Sequence, residues 1–138
     1  MDIFNDFKYD NNIIIQGLTK ELNTFYVQNL YNNTQKNILI VTSTLFEANQ
    51  IFKNLKTYLD NVYLFPMDDF LTSEALSISP DLKVTRLETL NELLSEKPKI
   101  VITNLMGYLR YLPSKKVYQD NIINLKIGME IEPKELVN

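Results

Sequence analysis

The 138-residue sequence contains no cysteine, no histidine and no tryptophan, and only three glycines. Without cysteine or histidine there are no disulfides, thiol nucleophiles or Ser-His-Asp triads, and nearly all transition-metal chemistry is excluded. Metal or covalent catalysis would have to run on carboxylates alone. No apolar run approaches a membrane span, and Met1-Asp2 opens without a basic stretch followed by an apolar one, so a cytoplasmic location is expected. A basic surplus is missing too. Net charge is −3 and the sequence pI about 5.0, unlike a dedicated nucleic-acid binder. What remains is 45% hydrophobic, 11% aromatic and 22% charged, the balance of a soluble globular core with room for one domain.

The chain is organised around Ile13 to Leu30, IIIQGLTKELNTFYVQNL. The β-branched run Ile13 to Ile15 predicts a strand buried on both faces, Gly17 a turn, and Leu18, Leu22, Phe25, Tyr26 and Leu30 the apolar stripe of a helix. The turn fits the phosphate-loop pattern G-x-x-x-x-G-K-[ST] in one register. Gly17 takes the first glycine and Thr24 the final hydroxyl, while Leu22 and Asn23 replace the second glycine and the lysine. Such a loop needs bare backbone against the anion and a cation for the outer phosphates. Leu22 and Asn23 supply neither, and Glu21 adds negative charge. The loop therefore reads as a degenerate remnant without ATP; the bland alternative is a plain strand-to-helix glycine turn.

Further strands are expected at Asn37 to Thr42, Val62 to Phe65, Lys99 to Thr103 and Asn121 to Leu125. Thr44 with Glu47 forms a capping-box signature for a helix carrying Leu45, Ala48, Phe52, Leu55 and Leu59 inward. Ser79-Pro80-Asp81 starts another with Val84, Leu87, Leu90 and Leu94 as its stripe, and Leu105 to Leu112 is a short helix. Alternation of strands and helices predicts an α/β fold with a parallel sheet in three layers. The divisions expected are an arm at residues 1–12, the α/β domain at 13–126 and, from the Gly128 turn onward, the start of a next module at 127–138.

The joint order of Gly17-Leu18-Thr19, Leu64-Phe65-Pro66, Ser79-Pro80-Asp81, Arg86-Leu87-Glu88-Thr89-Leu90, Ile100-Val101-Ile102-Thr103 and Leu125-Lys126-Ile127-Gly128 resembles the N-terminal region of the bacterial transcription-repair coupling factors. More distantly it is similar to the first motor domain of the excision nuclease's B subunit, where Gly17, Thr19 and Thr24 match the intact loop and Lys20 to Asn23 depart. The resemblance implies a P-loop NTPase, RecA-like helicase fold with a degenerate Walker A loop. It implies a non-catalytic scaffold, without cofactor of its own, in a parent that is an ATP- and Mg-dependent DNA translocase. The implied partners are other domains of the same chain, the nuclease A subunit through the following module, and RNA polymerase and DNA through downstream domains.

Other candidates carry competing readings. Asp68 and Asp69 form either a Mg²⁺ carboxylate pair or a solvated loop or helix cap. Arg110, Lys115 and Lys116 form the compact basic cluster, for phosphate or for solvent. Tyr26, Tyr31, Tyr58, Tyr108 and Tyr111 stack bases or fill core, and Arg86 pairs with a carboxylate such as Asp81 or faces another domain. Two other function classes stay open: a small nucleotide-binding P-loop-like protein, and a freestanding flavodoxin-like interaction module.

Overall fold

A computed structural model describes residues 12–69, 79–123 and 126–130. The elements in order are α1 Lys20–Thr34, β1 Ile38–Thr42, α2 Leu45–Lys56, β2 Val62–Phe65, α3 Pro80–Leu93, β3 Ile100–Asn104, α4 Leu105–Tyr108 and α5 Lys115–Asp120. The strands make one parallel sheet in the order β1-β3-β2, with Ile38 opposite Ile100 and Val62 opposite Ile100 on the other side. The chain crosses over β3's position through α2, then returns through α3. Right-handed crossovers in opposite directions put their helices on opposite faces.

Side-chain alternation bears this out. Val62, Leu64, Ile100 and Ile102 point to the face where Ala48 and Leu55 of α2 and Tyr31 of α1 complete the core. Tyr63, on the opposite face, donates its hydroxyl to Glu92 of α3 at 3.0 Å. The β3 residues are buried throughout, as an uninterrupted β-branched run in a central parallel strand requires. α2 starts where the sequence placed it: Thr44 Oγ1 accepts from Glu47 N–H while the Glu47 carboxylate accepts from Thr44 N–H. No helix among the described residues is long and apolar enough to cross a membrane.

Several expectations are corrected. Ile13 to Ile15 is not a strand; Ile14 is 89% exposed, because a β-branched run becomes a strand only against a neighbour that takes its backbone hydrogen bonds. Asn121 to Ile123 is not a strand either. There the amides of Asn121 and Ile122 bond back to Tyr118 and Gln119 at the end of α5; residues 124 and 125 lie outside the described residues. The Leu105 to Leu112 helix stops at Tyr108, and α5, not predicted, begins at Lys115.

The core stripes shift as well. α1 reaches the core through Val27 and Tyr31, whose hydroxyl donates to Pro98 O at 2.7 Å. α3 buries Thr89, its hydroxyl on Leu64 O, and leaves Val84 and Leu87 exposed. The turn at Gly128 is present, with φ +88° and the Met129 amide on Lys126 O. Residues 1–11 of the expected arm and residues 131–138 of the expected next module lie outside the described residues.

Candidate functional site

The stretch from Gly17 to Thr24 is already helix over half its length. α1 begins at Lys20, and Thr19 is its N-cap: Oγ1 accepts from Leu22 N–H at 3.4 Å and the Thr19 carbonyl from Asn23 N–H at 2.9 Å. Thr24 is buried with its hydroxyl donated to Lys20 O. Gly17 has φ +80°, a conformation that favours glycine, but a Cβ there would meet nothing within 4 Å. The amides at Leu22 and Asn23 are therefore both spent inside the chain.

In open parallel α/β sheets ligands collect beyond the carboxyl ends of the strands, at the point where strand order reverses. Here that place is filled by a hydrogen-bonded cluster. Asn104, at the end of β3, is fully buried; its amide nitrogen donates to Met67 O and to Asp69 Oδ1, both at 2.7 Å, while its oxygen accepts from Met67 N–H at 3.1 Å. Asp69 also accepts from Leu45 N–H at 2.8 and 3.0 Å, so its carboxylate sits on the N-terminus of α2. Glu47 takes the amides of Ser43 and Thr44 beside it. The positive end of the α2 dipole, where an anion would bind, is thus occupied by two carboxylates of the protein itself.

Two neighbours lock the cluster to the sheet. Thr103 Oγ1 donates to Phe65 O at 2.7 Å, and Gly107 packs so closely that a Cβ would lie 2.2 Å from Thr103 Oγ1. Sequence reasoning missed Asn104 and Gly107, since neither is charged or part of a motif. The available signal was an amide closing the apolar run Ile100 to Ile102 just where a helix starts.

The sequence candidates separate. Asp69 joins α2, whereas Asp68 lies half-buried beside Arg86, and no group of three or more metal-ligating side chains occurs among the described residues. Arg86 does not pair with Asp81: its Nη1 donates to Pro66 O at 3.0 Å. Burial pushes its pKa below the ordinary value, and the nearby Arg110 charge adds to this while Asp68 offsets it. Arg110 is exposed after α4, and Lys115 and Lys116 are exposed in the first turn of α5. Of the tyrosines, Tyr31 is core; Tyr58 is half-exposed against Phe25, and Tyr108 and Tyr111 are exposed.

No family model matches the chain. Among curated proteins, the transcription-repair-coupling factor of Staphylococcus haemolyticus is 30% identical over 129 residues, 92% of this chain, and that of Bacillus subtilis is 28% identical over 127 residues. The Staphylococcus epidermidis protein is 29% identical over the same 92% of the chain. The chain is a homologue of transcription-repair-coupling factors. It spans 11% of the length of these relatives, so it corresponds to a short region of them.

Proposed function

We propose that the chain is a non-catalytic scaffold segment from the N-terminal region of a transcription-repair-coupling factor, built on a helicase-like P-loop fold whose Walker A loop has degenerated. The observation that carries the reading is the pair of amides at Leu22 and Asn23, satisfied by Thr19 instead of left open for phosphate. The homologous span supports the coupling-factor assignment. The closed cluster of Asn104, Asp69 and Glu47 supports the absence of a second anion site at α2.

On this reading the segment carries no cofactor, while the parent uses ATP and Mg elsewhere in a cytoplasmic polypeptide that couples stalled transcription to DNA repair. RNA polymerase and DNA are engaged by downstream domains, and the excision nuclease's A subunit by the following module. The distant kinship with the nuclease's B subunit rests on Gly17, Thr19 and Thr24. Calorimetric titration with Mg-ATP tests the scaffold reading. No heat of binding is expected, and a low-micromolar dissociation constant would overturn it.

A further inference from the structure

The run Tyr108 to Leu112 sits where one helix ends and before the next begins. α4 closes at Tyr108, Pro113 lets no helix run through, and Ser114 starts α5 by accepting the Val117 amide on its hydroxyl. No element turns the run inward. Tyr108, Leu109, Tyr111 and Leu112 are all exposed, Tyr111 by 98%. Consecutive large apolar residues on a surface favour association, so such a run marks a place that another molecule covers.

Beside the run the chain forms a pocket. α5 is held to α3 by the Tyr118 hydroxyl, which donates to Asn91 Oδ1 at 2.8 Å. The space left there is about 180 Å³, lined by Leu90, Leu93 and Leu94 at the end of α3 and by Leu112 and Pro113, with Lys115 at its border. A cavity of about 150 Å³ takes a benzene molecule, so this one takes a single leucine- or phenylalanine-sized side chain. The charge around it is of one sign: among the described residues no acid lines the pocket, Lys116 follows Lys115, and Arg110 precedes Leu112 by two residues. One helical turn before Leu90 comes Arg86, close enough to Arg110 for the two charges to oppose each other, with Asp68 partly offsetting them. In a chain of net charge −3 this is a local cationic surplus.

An aliphatic pocket, exposed tyrosines and arginine in one place have the composition of an interface centre. The charges decide the partner. A second copy in a two-fold pairing would set Arg110 and Lys115 against their own images. A nucleic-acid strand is held by cations along its whole track and by bases on aromatic faces, whereas the recess here is lined by leucines. We infer that the pocket between α3 and α5, with the exposed run Tyr108 to Leu112 beside it, docks an acidic peptide segment of a partner protein. One large apolar side chain enters among the leucines, and flanking carboxylates meet Arg110 and Lys115.

Methyl and amide NMR of the 138-residue chain, titrated with the acetylated and amidated peptide Glu-Asp-Leu-Phe-Glu-Asp, tests this. Signals of Leu90, Leu94, Leu112 and Lys115 should shift together and saturate with a dissociation constant of about 1 mM or tighter. The peptide Lys-Lys-Leu-Phe-Lys-Lys should leave them in place. Arg110→Glu with Lys115→Glu should weaken the acidic peptide by roughly tenfold or more and keep the unfolding midpoint, since both side chains are exposed. Leu112→Asp should abolish the shifts. Failure to saturate in the millimolar range overturns the inference, as does equal binding of the two peptides. A single-stranded oligothymidylate that moves the same signals at lower concentration than the acidic peptide would assign the surface to nucleic acid and overturn it. So would pocket signals that change with protein concentration alone, the mark of a second copy, or that move on Leu136→Asp without peptide, the mark of the chain's own tail.

Discussion

Asn104 and Gly107 hold the carboxyl ends of the strands together. Neither stands out in the sequence, because the need for each is created by what the fold brings near it. Asn104 earns its place through Met67 and Asp69, more than thirty residues away in the chain. Gly107 is required for space, not for backbone conformation. Replacing glycine by alanine in a helix ordinarily gains about 0.5–1 kcal/mol, but here the added methyl collides with Thr103 Oγ1. That oxygen belongs to a β-branched side chain held on Phe65 O, so it cannot swing aside freely. Overpacking of this kind costs about 1–3 kcal/mol, and losing the hydrogen bond adds roughly 1 more, so the steric term wins. Gly107→Ala should lower the urea midpoint with an unchanged slope, and a midpoint at or above that of the parent would contradict the packing. The Thr44–Glu47 box, in contrast, was readable from four consecutive residues, since every atom it uses is local.

Elements were legible where their signals were local, and failed where a neighbour decides. β1, β2, β3, α2 and the start of α3 lie within a residue or so of their expected positions, and the sheet is parallel as the alternation demanded. Ile13 to Ile15 has strand composition without a strand partner among the described residues, and the six-residue α5 is too short to show a period. The α3 stripe was misjudged because Thr89, a polar residue in the pattern, turns inward to satisfy an edge carbonyl. On its other contact α3 joins β2 through Tyr63 and Glu92. Burial raises the Tyr63 phenol above its ordinary value of about 10, and the hydrogen bond to the Glu92 carboxylate adds to it. A pKa raised in the folded state means that the native protein holds this proton more tightly than the unfolded chain. The contribution is therefore fully present below pH 10 and is lost as pH rises through the folded value. Unfolding free energy should decline more steeply above pH 10 in the parent than in Tyr63→Phe, and identical alkaline limbs would remove Tyr63 as the cause.

For the whole molecule, charge and its placement limit what the surface can hold. Net charge is −3, and the cations proposed for phosphate contact are spread over the surface: Arg110 after α4, Lys115 at the border of a small pocket lined mainly by leucines, and Lys116 beside it at the start of α5, all exposed. Two lysines at a helix N-terminus oppose its dipole instead of complementing it, so they are free to meet an anion but hold no preformed site. If all three reached phosphates of duplex DNA, counterion release would give a salt slope of about −2.7, a loss of roughly 40-fold between 50 and 200 mM salt. Binding by this chain should then be weak at low salt and absent near physiological ionic strength. Anisotropy titrations of a labelled duplex at several salt concentrations measure both quantities. The triple change Arg110→Ala, Lys115→Ala, Lys116→Ala should flatten the slope towards zero and leave folding intact, since the three side chains are exposed. A nanomolar complex that survives physiological salt would require a cationic surface other than this one, and a slope much steeper than −3 would require more phosphate contacts than these three residues can make.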